Sequence, residues 1–406
     1  MTAFPNLFTP IQIGSVTVKN RILSSGHDTV MAEDGKITER LVAYHEARAS
    51  GGVGLIVAQV AGVRQSAKYS ASILMADTDD CIAGYRTLAE TVHPHSTVLF
   101  GQLLHDGREM MESQDGSLSV ALAPSAVPTE RFHVMPRAMP VPLIEEIVAS
   151  FGSAACRLQT AGMDGVEIVA SHGYLPTQFL NPRVNLRTDQ YGGSPPNRLR
   201  FLREVIAAVR DQVGRDFVVG IRVSASEETE DGLNSDETLD ALRVLDADGA
   251  IDYVSVVAGT SATLTGSDHI APSMSFAPAY VAPRVSVCET EGVTKLVART
   301  TPILLVSQNV DGHSIETHNR GFRLSCRDPF HCTDRPRRCR TRQLHKWCRC
   351  SSHSLRSHQW KRLLRKEVPC QLGLPQYLGC AQRSPRWSPD CLRCRSRTCE
   401  EMYRPC

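Results

Sequence analysis

Six times between Thr38 and Val306 a stretch with helical apolar spacing runs, across a short polar or glycine break, into a brief continuous apolar segment. The pairs are Thr38 to Gly51 with Val53–Val57, Ile82–Val92 with Val98–Leu103, and Leu143–Thr160 with Gly165–Ile168. Arg198–Val213 with Phe217–Val223, Ser235–Asp248 with Tyr253–Val256, and Val285–Ala298 with Ile303–Val306 complete the set. Strands apolar on both faces belong in a parallel sheet covered by helices, so this alternation restricts the chain to α/β architectures. With Asn20–Leu23 as the first strand, seven strands are predicted, and the expected fold is a (β/α)8 TIM barrel of roughly 250 residues. Alternating Phe8, Ile11, Ile13, Val16 and Val18 around Gly14–Ser15 predict a small hairpin closing the barrel floor. An eighth strand should fall around positions 320 to 335, but GFRLSCRDPFHCTDRPRRC has no apolar run to serve as one.

Charge and cysteine divide the chain at about the same place. Residues 1 to 319 carry 24 Lys and Arg against 37 Asp and Glu, whereas residues 320 to 406 carry 21 against 6. Of 14 cysteines, only Cys81, Cys156 and Cys288 precede position 320. We therefore expect two parts: a barrel over 1–318 and an irregular, basic, Cys-rich tail over 319–406. No apolar run reaches the roughly 18 residues of a membrane span, and the N-terminus has no signal-peptide pattern, so a cytoplasmic protein is expected.

The richest stretch runs from Val166 to Arg198. A strand opens there into a loop holding His172, Tyr174, Gln178, Asn181, Asn185, Arg187, Asp189 and Tyr191 before the next helix begins near Pro195. A barrel keeps its chemistry at the C-terminal ends of its strands, so this loop is the candidate substrate face. His172 and Tyr174, two apart, share a face if strand geometry persists. Elsewhere, Gln102 ends the third strand with an amide that both donates and accepts, and Arg222 lies in the fifth, where a buried guanidinium needs an anionic partner. A salt bridge to a neighbouring carboxylate is the plain structural alternative. Ser24, Ser25 and Gly26 follow the first strand, small enough for a flat ligand to lie against backbone.

LFTPIQIGSVTVKNRI, ITERLVAYHEARASGGVGLIV, GQLLHDGR, DGVEI followed by HGYLPTQFLNPRVNLRTDQYGGS, and VGIRVSASE occur in that order. On these segments the chain resembles, over about residues 5–306, the NADH:flavin oxidoreductase or old yellow enzyme family, and within it the branch of 2,4-dienoyl-CoA reductase and trimethylamine dehydrogenase. The resemblance implies FMN as cofactor and NADH or NADPH as electron donor. It places Gln102, Arg222, Ser24, Ser25 and Gly26 on the flavin, His172 on a substrate's electron-withdrawing group, and Tyr174 as proton donor while hydride leaves flavin N5 for an activated C=C bond. A small-molecule substrate is expected, with neither a membrane nor a nucleic-acid partner, and a homo-oligomer is left open.

Three departures qualify the resemblance. Val169 stands where many ene-reductases place a first histidine, which favours the dienoyl-CoA reductase branch over simple enone reduction. An amine dehydrogenase is the alternative, although the aromatic side chains that would surround an alkylammonium are not evident in the sequence. Ser307 and Gln308 replace the Gly-Arg that ends strand seven in relatives, weakening the expected phosphate site. His105 and Arg108 are further candidates for the barrel mouth, while Arg187 to Gly193 reads as a structural clamp. In the tail, the spacing required for an iron–sulfur site is absent, so no cluster is expected. A zinc-stabilised or nucleic-acid-binding module competes with translation in a shifted reading frame from near Thr317 to Arg320, which better explains the abrupt loss of periodicity. On that reading the alternative to an enzyme is a defective product whose barrel lacks its last strand.

Overall fold

The structure, a computed structural model, describes residues 6–110 and 120–272, positions 276, 280, 281 and 283, and a short strand at 304–305. The helix expected at Val285–Ala298, positions Ser307 and Gln308, the eighth strand, the domain boundary near 318 and the whole tail lie outside the described residues.

The predicted alternation is present. Strands β1 (Ile22–Ser24), β2 (Leu55–Gly62), β3 (Val98–Leu104), β4 (Gly165–Ala170), β5 (Val218–Ser224), β6 (Tyr253–Val257) and β7 (Leu304–Leu305) form one sheet in the order β6-β5-β4-β3-β2-β1-β7. Every neighbouring pair along it is parallel. Between the strands run α1 (Glu39–Ser50), α2 (Cys81–Val92), α3 (Val141–Thr160), α4 (Pro195–Val213) and α5 (Ser235–Asp248). Thr38 caps α1 by accepting from the Leu41 N–H, and Pro195 opens α4, where its missing N–H costs nothing. Asn234 and Glu237 form a reciprocal capping box on α5.

One strand sits differently from its expected place in the ring. Leu304 and Leu305, read as the seventh strand, pair with Ile22 and Leu23 of β1. In a closed ring that neighbour is the last strand, and among the described residues none pairs with the outer edge of β6. The sequence also gave no sign of two short helices, Leu175–Leu180 and Leu264–Ile270, which fold parts of the loops after β4 and β6.

Side chains alternate across the sheet. Ile56, Leu99, Val166, Ile168, Val219 and Ile221 face the helices and pack with Phe151, Leu158, Phe201 and Leu202. The opposite set faces the barrel axis, where Leu23, Leu55, Val57, Phe100, Val218 and Tyr253 rest on Ile13 and Val18 of the hairpin Ile11–Ile13/Val16–Val18. That hairpin is the floor the sequence predicts. No described helix is long and apolar enough to cross a membrane.

Candidate active site

The layer above this floor is polar. Register aligns Gln102 of β3 with Glu167 of β4, Glu167 with Gly220 of β5, and Gly220 with Tyr253 of β6, so all four lie at one height inside the sheet. Gly220 is small for a reason: a β-carbon there would collide with the Tyr253 ring. Through that gap the Tyr253 hydroxyl donates to Glu167 Oε2 at 3.1 Å, while Gln102 Nε2 donates to Oε1 at 2.6 Å. Arg222, one layer up on β5, brings its Nε to 2.9 Å from the same Oε1. That contact is an ion pair without hydrogen-bond alignment. Glu167 has no exposed surface, and its two oxygens accept from donors on β3 and β6 with the guanidinium of β5 beside them. Burial and then the Glu167 charge hold the Tyr253 hydroxyl well above its ordinary range, which keeps it a donor.

Gly26 closes the layer from β1. Its carbonyl accepts from Arg222 Nη1 at 2.9 Å, and a β-carbon on it would stand 2.8 Å from Gln102 Nε2 and 3.0 Å from the Ala58 carbonyl. Ser24 is buried and Ser25 half-buried beside it. Of the five residues assigned to the flavin by resemblance, Gln102, Arg222 and Gly26 thus meet, and Ser24 and Ser25 precede Gly26 in sequence. One donor in this group is unspent: among the described residues, Arg222 Nη2 is buried without a hydrogen-bond partner. A buried guanidinium nitrogen left unpaired is costly unless a ligand completes it. With bare backbone at Gly26, an oxygen-rich planar ring such as that of FMN fits this donor set.

The candidate substrate residues meet above the layer, by a route other than the one expected. Strand β4 ends at Ala170, and His172 has a left-handed backbone at φ +61°, so strand alternation does not orient the pair. A tight turn does. The His172 N–H donates to Ser224 Oγ at 3.0 Å, and its carbonyl accepts from the Ser261 N–H at 2.8 Å, pinning it to the ends of β5 and β6. The His172 and Tyr174 rings then meet edge to face, 5.9 Å between centroids. Burial, followed by the charge of Arg222, pushes His172 down to about 3, so its imidazole is neutral at neutral pH. Burial and the charges of Glu109, Asp106 and Asp28 push the Tyr174 hydroxyl up.

Several residues escaped the sequence reading. Tyr69 stacks on Tyr174 at 6.4 Å and donates to Asp28 Oδ2 at 2.8 Å. Val169 packs with Val60, Ile73, Met75 and Leu104 against both tyrosines. Behind the turn, Glu109 Oε1 and Glu227 Oε1 lie 3.5 and 3.4 Å from where a β-carbon on Gly173 would sit. Burial drives Glu109 up to about 8 and raises Glu227. Asp106 is also fully buried and raised, and among the described residues neither of its oxygens has a hydrogen-bond partner. No single motif announces these groups, because they come from the loops after β1, β2, β3 and β5.

His105 and Arg108, the further candidates for the mouth, are both buried and engaged with neighbouring loops. His105 has no exposed surface and bonds Ser66 Oγ through Nε2 at 3.0 Å, while Arg108 Nη1 donates to the carbonyls of Val127 and Pro128 at 3.0 and 3.2 Å. Both hold loops. Arg187 behaves as a clamp: it grips Asp189 and donates to the carbonyls of Pro124 and Met139 at 3.0 and 2.6 Å.

Comparison with known proteins agrees with this geometry. The chain is 39% identical over 251 residues to the NADH oxidase of Thermoanaerobacter brockii, covering 61% of this chain and 38% of that protein. It is 36% identical over 281 residues to the N,N-dimethylglycine/sarcosine dehydrogenase of Chromohalobacter salexigens, covering 68% of this chain and 40% of that one. It therefore spans about two-fifths of the length of these relatives. Among solved structures, a 2-naphthoyl-CoA reductase in complex with 2-naphthoyl-CoA superposes with a TM-score of 0.65 at 26% identity, covering 74% of this chain and 46% of that one. The family model for NADH:flavin oxidoreductase / NADH oxidase matches residues 6–269, and the chain belongs to that family.

Proposed function

We propose that this chain is an FMN-dependent oxidoreductase that uses NADH or NADPH to reduce an activated C=C bond of a small molecule, of the enone or enoyl type. The observation that carries the reading is Arg222 Nη2, a buried cationic donor without a hydrogen-bond partner among the described residues, beside Gln102 and the bare backbone of Gly26. Gln102, Arg222 and Ser24 to Gly26 would hold the flavin, which when bound supplies hydride acceptance and delivery. The guanidinium favours negative charge on the ring it contacts.

His172 binds and polarises. Its Nδ1 lies 2.8 Å from Ser171 Oγ, and with the serine hydroxyl donating there, Nε2 carries the hydrogen and donates to a substrate carbonyl oxygen. Tyr174 gives the proton. A phenol held above its ordinary pKa keeps its proton in the resting site and yields it only to a strongly basic centre such as a developing carbanion. Val169 and the apolar cluster beneath the two tyrosines keep water from that side.

A second reading has its own observation. Tyr69, stacked on Tyr174 and bonded to Asp28, puts two aromatic faces and a carboxylate side by side, the setting that attracts an alkylammonium. The aromatic surround that the sequence did not reveal is thus partly assembled, and an N-methylamine dehydrogenase is the alternative. An absorbance spectrum of the purified protein tests the common ground, since absence of a flavin band after FMN addition defeats both readings. Anaerobic mixing separates them. An N-methylamine that bleaches the flavin supports the second, whereas NADH bleaching followed by recovery with an enone supports the first.

A further inference from the structure

Resting on the flavin reading, we propose that Glu167 is the positioning residue that sets the charge of the flavin floor: its carboxylate holds Arg222 and Gln102 in place and offsets part of the guanidinium charge.

The residue is inaccessible and lies on no loop, so it is not itself a substrate or cofactor contact. It is nonetheless the point where three strands meet, accepting from Gln102 of β3 and Tyr253 of β6 while pairing with Arg222 of β5. Two consequences follow for the ligand side. The acceptor-only carboxylate draws Nε2 of Gln102 toward itself, which fixes the sense of the amide and leaves its carbonyl oxygen for a donor elsewhere. It also draws the Nε edge of Arg222 inward, so that Nη1 meets the Gly26 carbonyl and Nη2 is left as the unspent donor. A buried guanidinium beside a buried carboxylate acts on a third group with less than a full positive charge. Glu167 therefore moderates the pull that Arg222 exerts on an electron-rich ring.

Glu167→Gln removes the charge and keeps the shape. Measured by dye equilibration on the FMN-loaded full chain, the flavin midpoint potential should rise, with the ratio of affinities for reduced over oxidised FMN increasing about tenfold, equivalent to about 30 mV for a two-electron couple. A purely structural Glu167 would lower melting temperature and leave the potential unmoved; that outcome, or a fall in potential, overturns the inference. Should Glu167→Gln fail to fold, Glu167→Asp retains the charge one methylene further from Arg222 and should raise the potential by a smaller amount, and an unchanged value there overturns the proposal equally. A wild-type chain that takes up no FMN overturns the flavin reading and this inference with it, whereas uptake with no Glu167 effect overturns this inference alone.

Discussion

The floor and the mouth of the candidate site are both built from buried ionisable groups, and they resolve the cost of burial in opposite ways. On the floor, Glu167 and Arg222 form a charge pair between adjacent strands. At the mouth, Arg108, whose Nε is 3.5 Å from Glu109, acts on Glu109 and Glu227, and Asp106 acts on Glu109 in turn. Pairing balances the first, whereas in the second burial drives all three carboxyls upward, toward their protonated forms. The mouth should therefore respond to pH across the neutral range.

The largest expected effect breaks that contrast from the mouth side. Glu109 is raised from an ordinary 4.5 to about 8 by burial. Below the lower value both folded and unfolded chains hold the proton, and the group contributes no pH slope. Between the two values the unfolded chain releases it and the folded chain does not, so stability falls as pH rises and levels off above about 8. Glu109→Gln deletes this slope. Relative to wild type, the variant should gain on the order of 1.4 kcal/mol for each unit climbed in that window, read from urea unfolding at a series of pH values. A stability difference independent of pH would mean that Glu109 is ionised throughout.

Next in size is the reverse experiment on the floor. Arg222→Ala leaves Glu167 buried without its cation, and should lower stability by about 3–5 kcal/mol while weakening FMN binding. An Arg222→Ala variant as stable as the parent in urea unfolding would contradict the charge-pair account.

These floor residues were largely legible in the sequence. Apolar periodicity placed Gln102 and Arg222 on strands and Gly26 just past one, and the resemblance assigned them to the flavin. Glu167 was missed although it occupies the same kind of position, because a lone acid in DGVEI reads as an ordinary interruption of an apolar run until β3, β5 and β6 are laid beside it. The mouth was less legible. His172 and Tyr174 were singled out correctly as neighbours, but their contact depends on a left-handed backbone at His172, and loop conformation has no period to read. Tyr69 and Asp28 come from loops after β2 and β1, and nothing in their spacing brings them to Tyr174.

A kinetic test sharpens the division of labour. Tyr174→Phe keeps the ring that stacks on Tyr69 and removes only the hydroxyl. Reoxidation of the reduced flavin by an enone should slow about a hundredfold, the usual worth of a positioned general acid. Reduction of the flavin by NADH should be unaffected, because the floor is untouched. Stopped-flow measurement of the two half-reactions checks this, and equal slowing of both would remove the proton-donor role.

The smallest expected effect concerns the backbone that joins the two regions. Gly173 has φ +78°, and a β-carbon there would collide with Thr260 Oγ1 while coming within ordinary contact distance of Glu227 and Glu109. Gly173→Ala should cost about 2 kcal/mol, from the left-handed conformation and the displaced threonine. The position of the damage matters more than its size. His172, one residue before, is anchored to Ser224 and Ser261, so a shift at Gly173 turns Tyr174 relative to His172 without disturbing Gln102, Glu167 or Arg222. The variant should keep its affinity for FMN and lose turnover with the oxidising substrate. A matching loss of FMN affinity would mean that floor and mouth are one mechanical unit, and that the difference between them lies only in how each handles its charge.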